Sequence, residues 1–144
     1  MASDIFCQII SGDLPATKVW RDEQVVAFLD HRPVFKGHVL ICPTLHVETL
    51  LELPDPLMQP LLAAAQTIAG AMGPAFGSEG TFVAINNVVS QSVPHLHLHV
   101  VPRSKGDGLR GFFWPRTRYA DGEEADYAAR LRAALSASGS THGP

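Results

Sequence analysis

The stretch Ser92 to Arg103 constrains this chain more than any other. In it His95, His97 and His99 alternate with Leu96, Leu98 and Val100. A repeat of two belongs to a β-strand, not a helix. The three histidines are therefore expected on one face and the three aliphatic residues on the other, with same-face neighbours roughly 6.6 Å apart. Pro94 and Pro102 are expected to bound the strand. The aliphatic face suits a core, and the other becomes a row of imidazoles on a rigid support. Three uses of that row compete. The first is a half-buried strand whose polar face merely carries histidine, which strict spacing of three among only seven histidines disfavours. The second is a metal site, since imidazole is a common ligand. The third is chemistry on an anion, in which a neutral imidazole attacks phosphorus or carbon while its neighbours donate protons. The residues alone leave the last two open.

The remaining signals narrow the class. A chain of 144 residues with 46% hydrophobic content and a net charge of -3 reads as one globular domain with room for a core. No apolar run is long enough for a membrane span, and Met1-Ala2-Ser3-Asp4 lacks the parts of a signal peptide, so a cytoplasmic location is expected. Two cysteines, Cys7 and Cys42, argue against a disulfide framework. The mildly acidic balance gives no case for nucleic-acid binding.

Taken in order, Asp4 or Ser3 can cap a helix to Ser11, stopped by Gly12, with Ile5, Phe6, Ile9 and Ile10 as its apolar residues. Lys18–Arg21 and Gln24–Asp30 read as strands around an Asp22-Glu23 turn. Asp30, at the end of an apolar strand, can accept from two adjacent hydroxyls or simply cap a turn. His38 opens the next strand, through Cys42. Leu50 to Leu53 suggests a helical turn. Asp55-Pro56 starts a helix to about Ala71, ended by Gly70, Gly73 and Pro74. Gly80–Asn87 is a further strand. Residues 103–118 mix cations with Phe112-Phe113-Trp114 and suggest either a solvated loop or a flap over polyphosphate. Glu123–Leu135 has helical composition, with Tyr127, Leu131 and Leu135 on one face. The expected organisation is a single domain over 1–135 and a disordered tail over 136–144. The fold class is α+β, an antiparallel sheet of about five strands with packed helices.

His95-Leu96-His97-Leu98-His99-Val100-Val101 resembles the signature of the histidine triad (HIT) superfamily of nucleotide hydrolases and transferases. Asp4–Gly12, Val26–Asp30, Lys36–Pro43 and His46-Val47 resemble further family segments in the family's order, so the likeness spans about residues 4–103. His31, where Hint-like members are usually apolar, and the stretch Arg32–His38 look closer to the Fhit-like branch.

The resemblance implies a homodimer acting on a purine nucleotide or dinucleotide. His97 would attack the α-phosphorus of a dinucleoside polyphosphate or nucleoside phosphoramidate, and water would cleave the nucleotidyl-histidine. His95 and His99 would flank the phosphate, with His38 supporting them. Asp30 would contact the ribose, and Asn86, Gln91 and Ser92 the phosphate oxygens. Phe6, Phe28 and Phe35 are candidates to line a base. His97 needs an acceptor for its other nitrogen, expected to be a backbone carbonyl near the triad. The chemistry requires no metal, although magnesium can accompany a polyphosphate. Some bacterial relatives hold zinc with two N-terminal cysteines and two histidines. The matching set here is Asp4, Cys7, His46 and His95, either a structural zinc site or a decayed one. The loop 88–92 is shorter than in relatives and lacks glycine. It supports the alternative of a nucleotide-binding signalling module with little turnover; transfer of the nucleotide to phosphate is a third reading.

Overall fold

The computed structural model describes residues 4–109 and 115–138, which fall into two compact units divided after Asp107. The first unit contains helix α1 (Ile5–Ser11), strands β1 (Lys18–Arg21), β2 (Val25–Leu29) and β3 (Val39–Pro43), helix α2 (Asp55–Phe76), and strands β4 (Gly80–Ile85) and β5 (Leu98–Arg103). The strands form one antiparallel sheet in the order β1-β2-β3-β5-β4. The α+β architecture expected from the sequence is present.

Strand alternation gives the sheet two apolar faces. Val25, Ala27, Val39, Ile41, Leu98 and Val100 pack with Leu61, Ala64, Ala65 and Met72 of α2. Val26, Phe28, Leu40 and Cys42, the intervening residues, pack with Phe6 and Ile9 of α1. A short helix covers the second face only in part, and it is this face that bears the site. Leu96 joins the α2 core with Leu98 and Val100, as the period of two requires. His99, paired in register with Leu40, therefore belongs to the α1 side.

The triad strand is shorter than expected. β5 begins at Leu98, so His95 and His97 precede it. The Leu96 N–H donates to Val47 O at 2.7 Å and the His95 N–H to Val93 O at 2.8 Å, so this segment bonds outside the sheet ladder. Pro102 lies within β5, where it pairs in register with Thr81, and does not bound the strand.

Local caps explain the other boundaries. The Asp4 carboxylate accepts from the Cys7 N–H, and Gly12 ends α1 at φ 89°. Pro54 caps α2, with Asp55 and Pro56 in its first turn. α2 passes through Gly70, Gly73 and Pro74, the expected stops, and ends at Gly77, whose N–H bonds to Gly73 O. Its packed face carries it through those weak residues. Leu50–Glu52 forms a 3-10 turn.

The second unit contains helix α3 (Glu123–Ala137). Ser136 and Ala137, expected in a tail, are helical, and 139–144 lie outside the described residues. Tyr127, Leu131 and Leu135 are at least half exposed. Arg110 and Phe112–Trp114 of the expected flap also lie outside the described residues, and Arg103 is held by Asp107 at 2.6 Å. No helix among the described residues is long and apolar enough to cross a membrane.

Candidate active site and metal centre

A cleft of ≈ 700 Å³ opens on the α1 side of the sheet. Ile5, Phe6 and Ile9 of α1 form one wall, Phe28, Leu29 and Leu40 another, and Asp30, Ser92, His97 and His99 the polar end. Phe6 packs edge-on against Phe28 at 5.3 Å and against the His97 ring at 5.0 Å.

Hydrogen bonds fix the imidazoles one by one. His97 Nδ1 lies 2.8 Å from His95 O. A carbonyl only accepts, so Nδ1 carries the proton and Nε2 keeps its lone pair. This is the acceptor anticipated for His97. The Val34 N–H donates to His38 Nδ1 at 3.1 Å, which leaves the proton on His38 Nε2. His38 Nε2 is 3.0 Å from His99 Nδ1 and donates to it. His99 must then carry its own proton on Nε2. A backbone N–H at residue 34 thus sets, through His38, which nitrogen of His99 is a donor. Burial pushes His99 down to about 4, helped by neighbouring His97 and His38. Burial also lowers His97 and His38 from the ordinary histidine value. Burial thus favours the neutral form of all three rings. The cleft end therefore offers one neutral nucleophilic nitrogen beside one neutral N–H donor.

His95 stands apart from this pair. It is fully buried and does not line the cleft. Its Nε2 donates to Pro43 O at 3.0 Å, which turns Nδ1 toward Asp4 and Cys7. The expectation that His95 flanks the phosphate is corrected: both of its nitrogens face protein. Nδ1 lies 3.3 Å from Asp4 Oδ2 and 3.5 Å from Cys7 Sγ. His46 Nδ1 is 2.9 Å from Asp4 Oδ2 and 3.3 Å from Cys7 Sγ, and Sγ is 3.4 Å from Oδ2. A tetrahedron with zinc bonds of ~2.0–2.3 Å has edges of about 3.3–3.6 Å. Four of these five separations, 3.3–3.5 Å, match those edges, the His46–Asp4 pair is shorter at 2.9 Å, and each residue type is a zinc ligand. The residues fit the metal. Burial raises the Cys7 thiol, and the Asp4 carboxylate adds to that. Burial opposes ionisation of Asp4, but the Cys7 N–H and the nearby His95 outweigh it and hold the carboxyl below its ordinary value. Asp30, His38 and His99 also approach one another closely. Both nitrogens of His38 are already hydrogen-bonded there.

Asp30 follows β2, and its N–H is tied to His38 O at 2.9 Å. Its Oδ1 accepts from the Arg32 N–H at 2.9 Å, and Oδ2 is 3.7 Å from His38 Nδ1. Ser92 lines the cleft, exposed and next to the triad. Gln91 does not face it freely. Its Oε1 accepts from the Val88 N–H at 2.9 Å and its Nε2 donates to Glu48 O at 2.6 Å, so it braces the loop. Asn86 Nδ2 reaches Ser90 O at 3.4 Å. That loop places Val88 and Ser90 at positive φ, 69° and 63°, without glycine. Phe6 and Phe28 line the cleft, whereas Phe35 is not among its lining residues. The cleft also includes Leu14, Ala16, Thr17 and Val93, which sequence reasoning did not single out.

Neutral imidazoles of fixed tautomer, set at the end of an apolar cleft on a five-stranded sheet, define a histidine triad protein. The HIT domain model matches residues 11–106, and the chain belongs to this family. Among relatives, Protein hit of Bacillus subtilis is 44% identical over 113 residues, covering 76% of this chain and 77% of its own. Adenosine 5'-monophosphoramidase hnt1 of Schizosaccharomyces pombe is 35% identical over 115 residues, covering 78% and 84%. A crystal structure of a Zn-bound histidine triad family protein from Mycobacterium smegmatis superposes with a TM-score of 0.71 at 36% identity, covering 97% of this chain and 98% of that one.

Proposed function

We propose that this protein hydrolyses nucleotide conjugates at the α-phosphorus through a nucleotidyl-histidine. The observation that carries this reading is the pair of tautomers at the cleft end. His97 presents a free Nε2, and His99 presents an N–H. His97 Nε2 forms a bond to phosphorus as the bond to the leaving group breaks, with the electron pair leaving on that group. His99 Nε2–H donates to an oxygen of the phosphoryl group or to the departing atom, offsetting charge as it develops. Water then attacks the phosphorus of the nucleotidyl-histidine, releasing the nucleoside monophosphate and restoring His97. The apolar walls of Phe6, Phe28 and Leu40 accept a purine, and Asp30 accepts from the ribose hydroxyls. Ser92 is positioned for a phosphate oxygen, whereas Asn86 and Gln91 shape the loop beside it. The phosphoramidase activity named for the fission-yeast relative favours nucleoside phosphoramidates over dinucleoside polyphosphates as first substrates.

Zinc is the metal that Asp4, Cys7, His46 and His95 suit. When bound, it supplies a cross-link between α1 and the triad segment and takes no part in bond making. A homodimer is supported by the apolar face that α2 and the edge strand β4 leave exposed, with Leu62 64% and Val83 44% accessible.

Incubation with adenosine 5'-phosphoramidate and diadenosine polyphosphates, following AMP, tests the reading. AMP release that vanishes in His97→Ala supports hydrolysis. AMP binding without turnover in the wild-type protein would replace it with the binding-module reading.

A further inference from the structure

The donor cluster and the nucleophile share a residue. His95 directs its side chain into the cluster and its carbonyl oxygen onto His97 Nδ1 at 2.8 Å. Asp4 is equally divided. Its Oδ1 accepts the Cys7 N–H at 2.7 Å and so caps α1, while its Oδ2 faces His46 and His95. In the first turn of that helix, Phe6 packs edge-on against the rings of both His95 and His97. A third tie closes the loop: Leu96, between the two histidines, donates its N–H to Val47 O, next to His46. The nucleophile is thus held on two sides by parts that meet at the cluster, the backbone of His95 and the first turn of α1.

We infer that Asp4 and His95 are positioning residues, through which metal occupancy sets the orientation of His97 and of the α1 wall of the nucleotide cleft. This rests on the zinc reading given above. His95 is fully buried with Nε2 bound to Pro43 O. Its Nδ1 faces the Asp4 carboxylate at 3.3 Å and the Cys7 sulfur at 3.5 Å. A zinc ion shared by these donors would tie residue 95, α1 and residue 46 to one point. Loss of the cation frees the His95 carbonyl to shift, and His97 loses the acceptor that selects its tautomer. A cysteine at position 4 could also ligate the metal. It could not accept the Cys7 N–H as strongly, so in this chain the carboxylate joins helix cap and metal ligand in one side chain.

The test compares the full chain loaded with one equivalent of zinc and the same chain stripped by chelator. Zinc stoichiometry is measured directly, folding by circular dichroism, and the His97 tautomer by nitrogen-15 NMR of the imidazoles. Loaded protein is expected to show His97 solely as the Nδ1–H form. Folded, stripped protein is expected to show a mixture, with kcat about 10–100-fold lower. Asp4→Asn, which keeps a capping oxygen but loses the charge, should need more zinc to reach the same spectrum. Asp4→Cys should recover it once loaded. Should chelation unfold the chain, Asp4→Asn under a zinc titration supplies the same comparison. An identical His97 spectrum and kcat across zinc occupancy would overturn the inference and leave the zinc site standing. Failure of both the wild type and Asp4→Cys to take up stoichiometric zinc would instead overturn the zinc reading, and this inference with it.

Discussion

His97 Nδ1 lies 2.8 Å from the carbonyl oxygen of His95, two residues earlier in the same chain. The backbone that carries His97 therefore also selects its tautomer, and no separate acidic partner is needed to free Nε2. His99 reaches the complementary state by a different route, from the Val34 N–H through His38. Two adjacent imidazoles thus hold opposite tautomers, one with Nε2 free and one with Nε2 protonated.

Removal of the donor should be felt in turnover. His99→Phe is expected to lower kcat for AMP release by roughly 10²–10³-fold, as for the loss of a preorganised donor to a developing charge. His38→Phe should leave His99 present but unfixed and lower kcat less, by about 10-fold. Steady-state kinetics on both variants checks this ordering; a larger loss in His38→Phe would contradict the relay.

Asp30 should act on binding. Asp30→Ala is expected to raise KM for a ribonucleotide substrate by roughly 10–100-fold, the worth of hydrogen bonds to a charged acceptor. A 2',3'-dideoxy analogue should lose little affinity in the same variant. Equal losses with both nucleotides would assign Asp30 to the Arg32 turn instead.

The buried rings make stability depend on pH. In the unfolded chain histidine titrates at about 6.5. In the fold His99 titrates at about 4, and His38 is also lowered, mainly by burial. Below 6.5 the unfolded state therefore binds protons that the folded state refuses. The contribution is present in full above about 6.5 and is lost as pH falls toward about 4. Tm should hold between pH 7 and 8 and fall between pH 6.5 and 4.5. His99→Phe should fall less steeply over that range.

Gly37 permits the approach of α2 to the loop that delivers His38. It sits at φ 99°, and a Cβ there would lie 2.6 Å from Phe76 Cε2. Gly37→Ala should destabilise the protein by about 1–3 kcal/mol, read from urea unfolding. Gly12, at φ 89° with no atom near its Cβ position, should show only the smaller conformational effect.

The sequence and structure agree where chemistry is local. The period of two in Leu96, Leu98 and Val100 sends the histidines His97 and His99 to the other face. The Asp4 carboxylate caps α1, and Gly12, lacking a Cβ, ends it at φ 89°. The agreement ends where partners come from distant segments. His95 follows the same repeat as His97, yet its ring is engaged by residues 4, 7, 43 and 46. Gln91 looks like a phosphate contact by position, but Glu48 O, 43 residues away, captures its amide. Gly70, Gly73 and Pro74 are weak helix residues, and packing carries α2 past them. The cleft wall from Leu14 to Thr17 had no motif, because an apolar wall needs only size and shape.

The most direct test of the account is the covalent intermediate. Wild-type protein mixed with an excess of adenosine 5'-phosphoramidate, quenched within a single turnover and digested, should yield the peptide carrying His97 with one added AMP. The bond should be acid-labile and formed through Nε2, and it should be absent from His97→Ala. AMP release at full rate with no such adduct, or with the adduct on His95 or His99, would contradict the assignment of His97 as nucleophile.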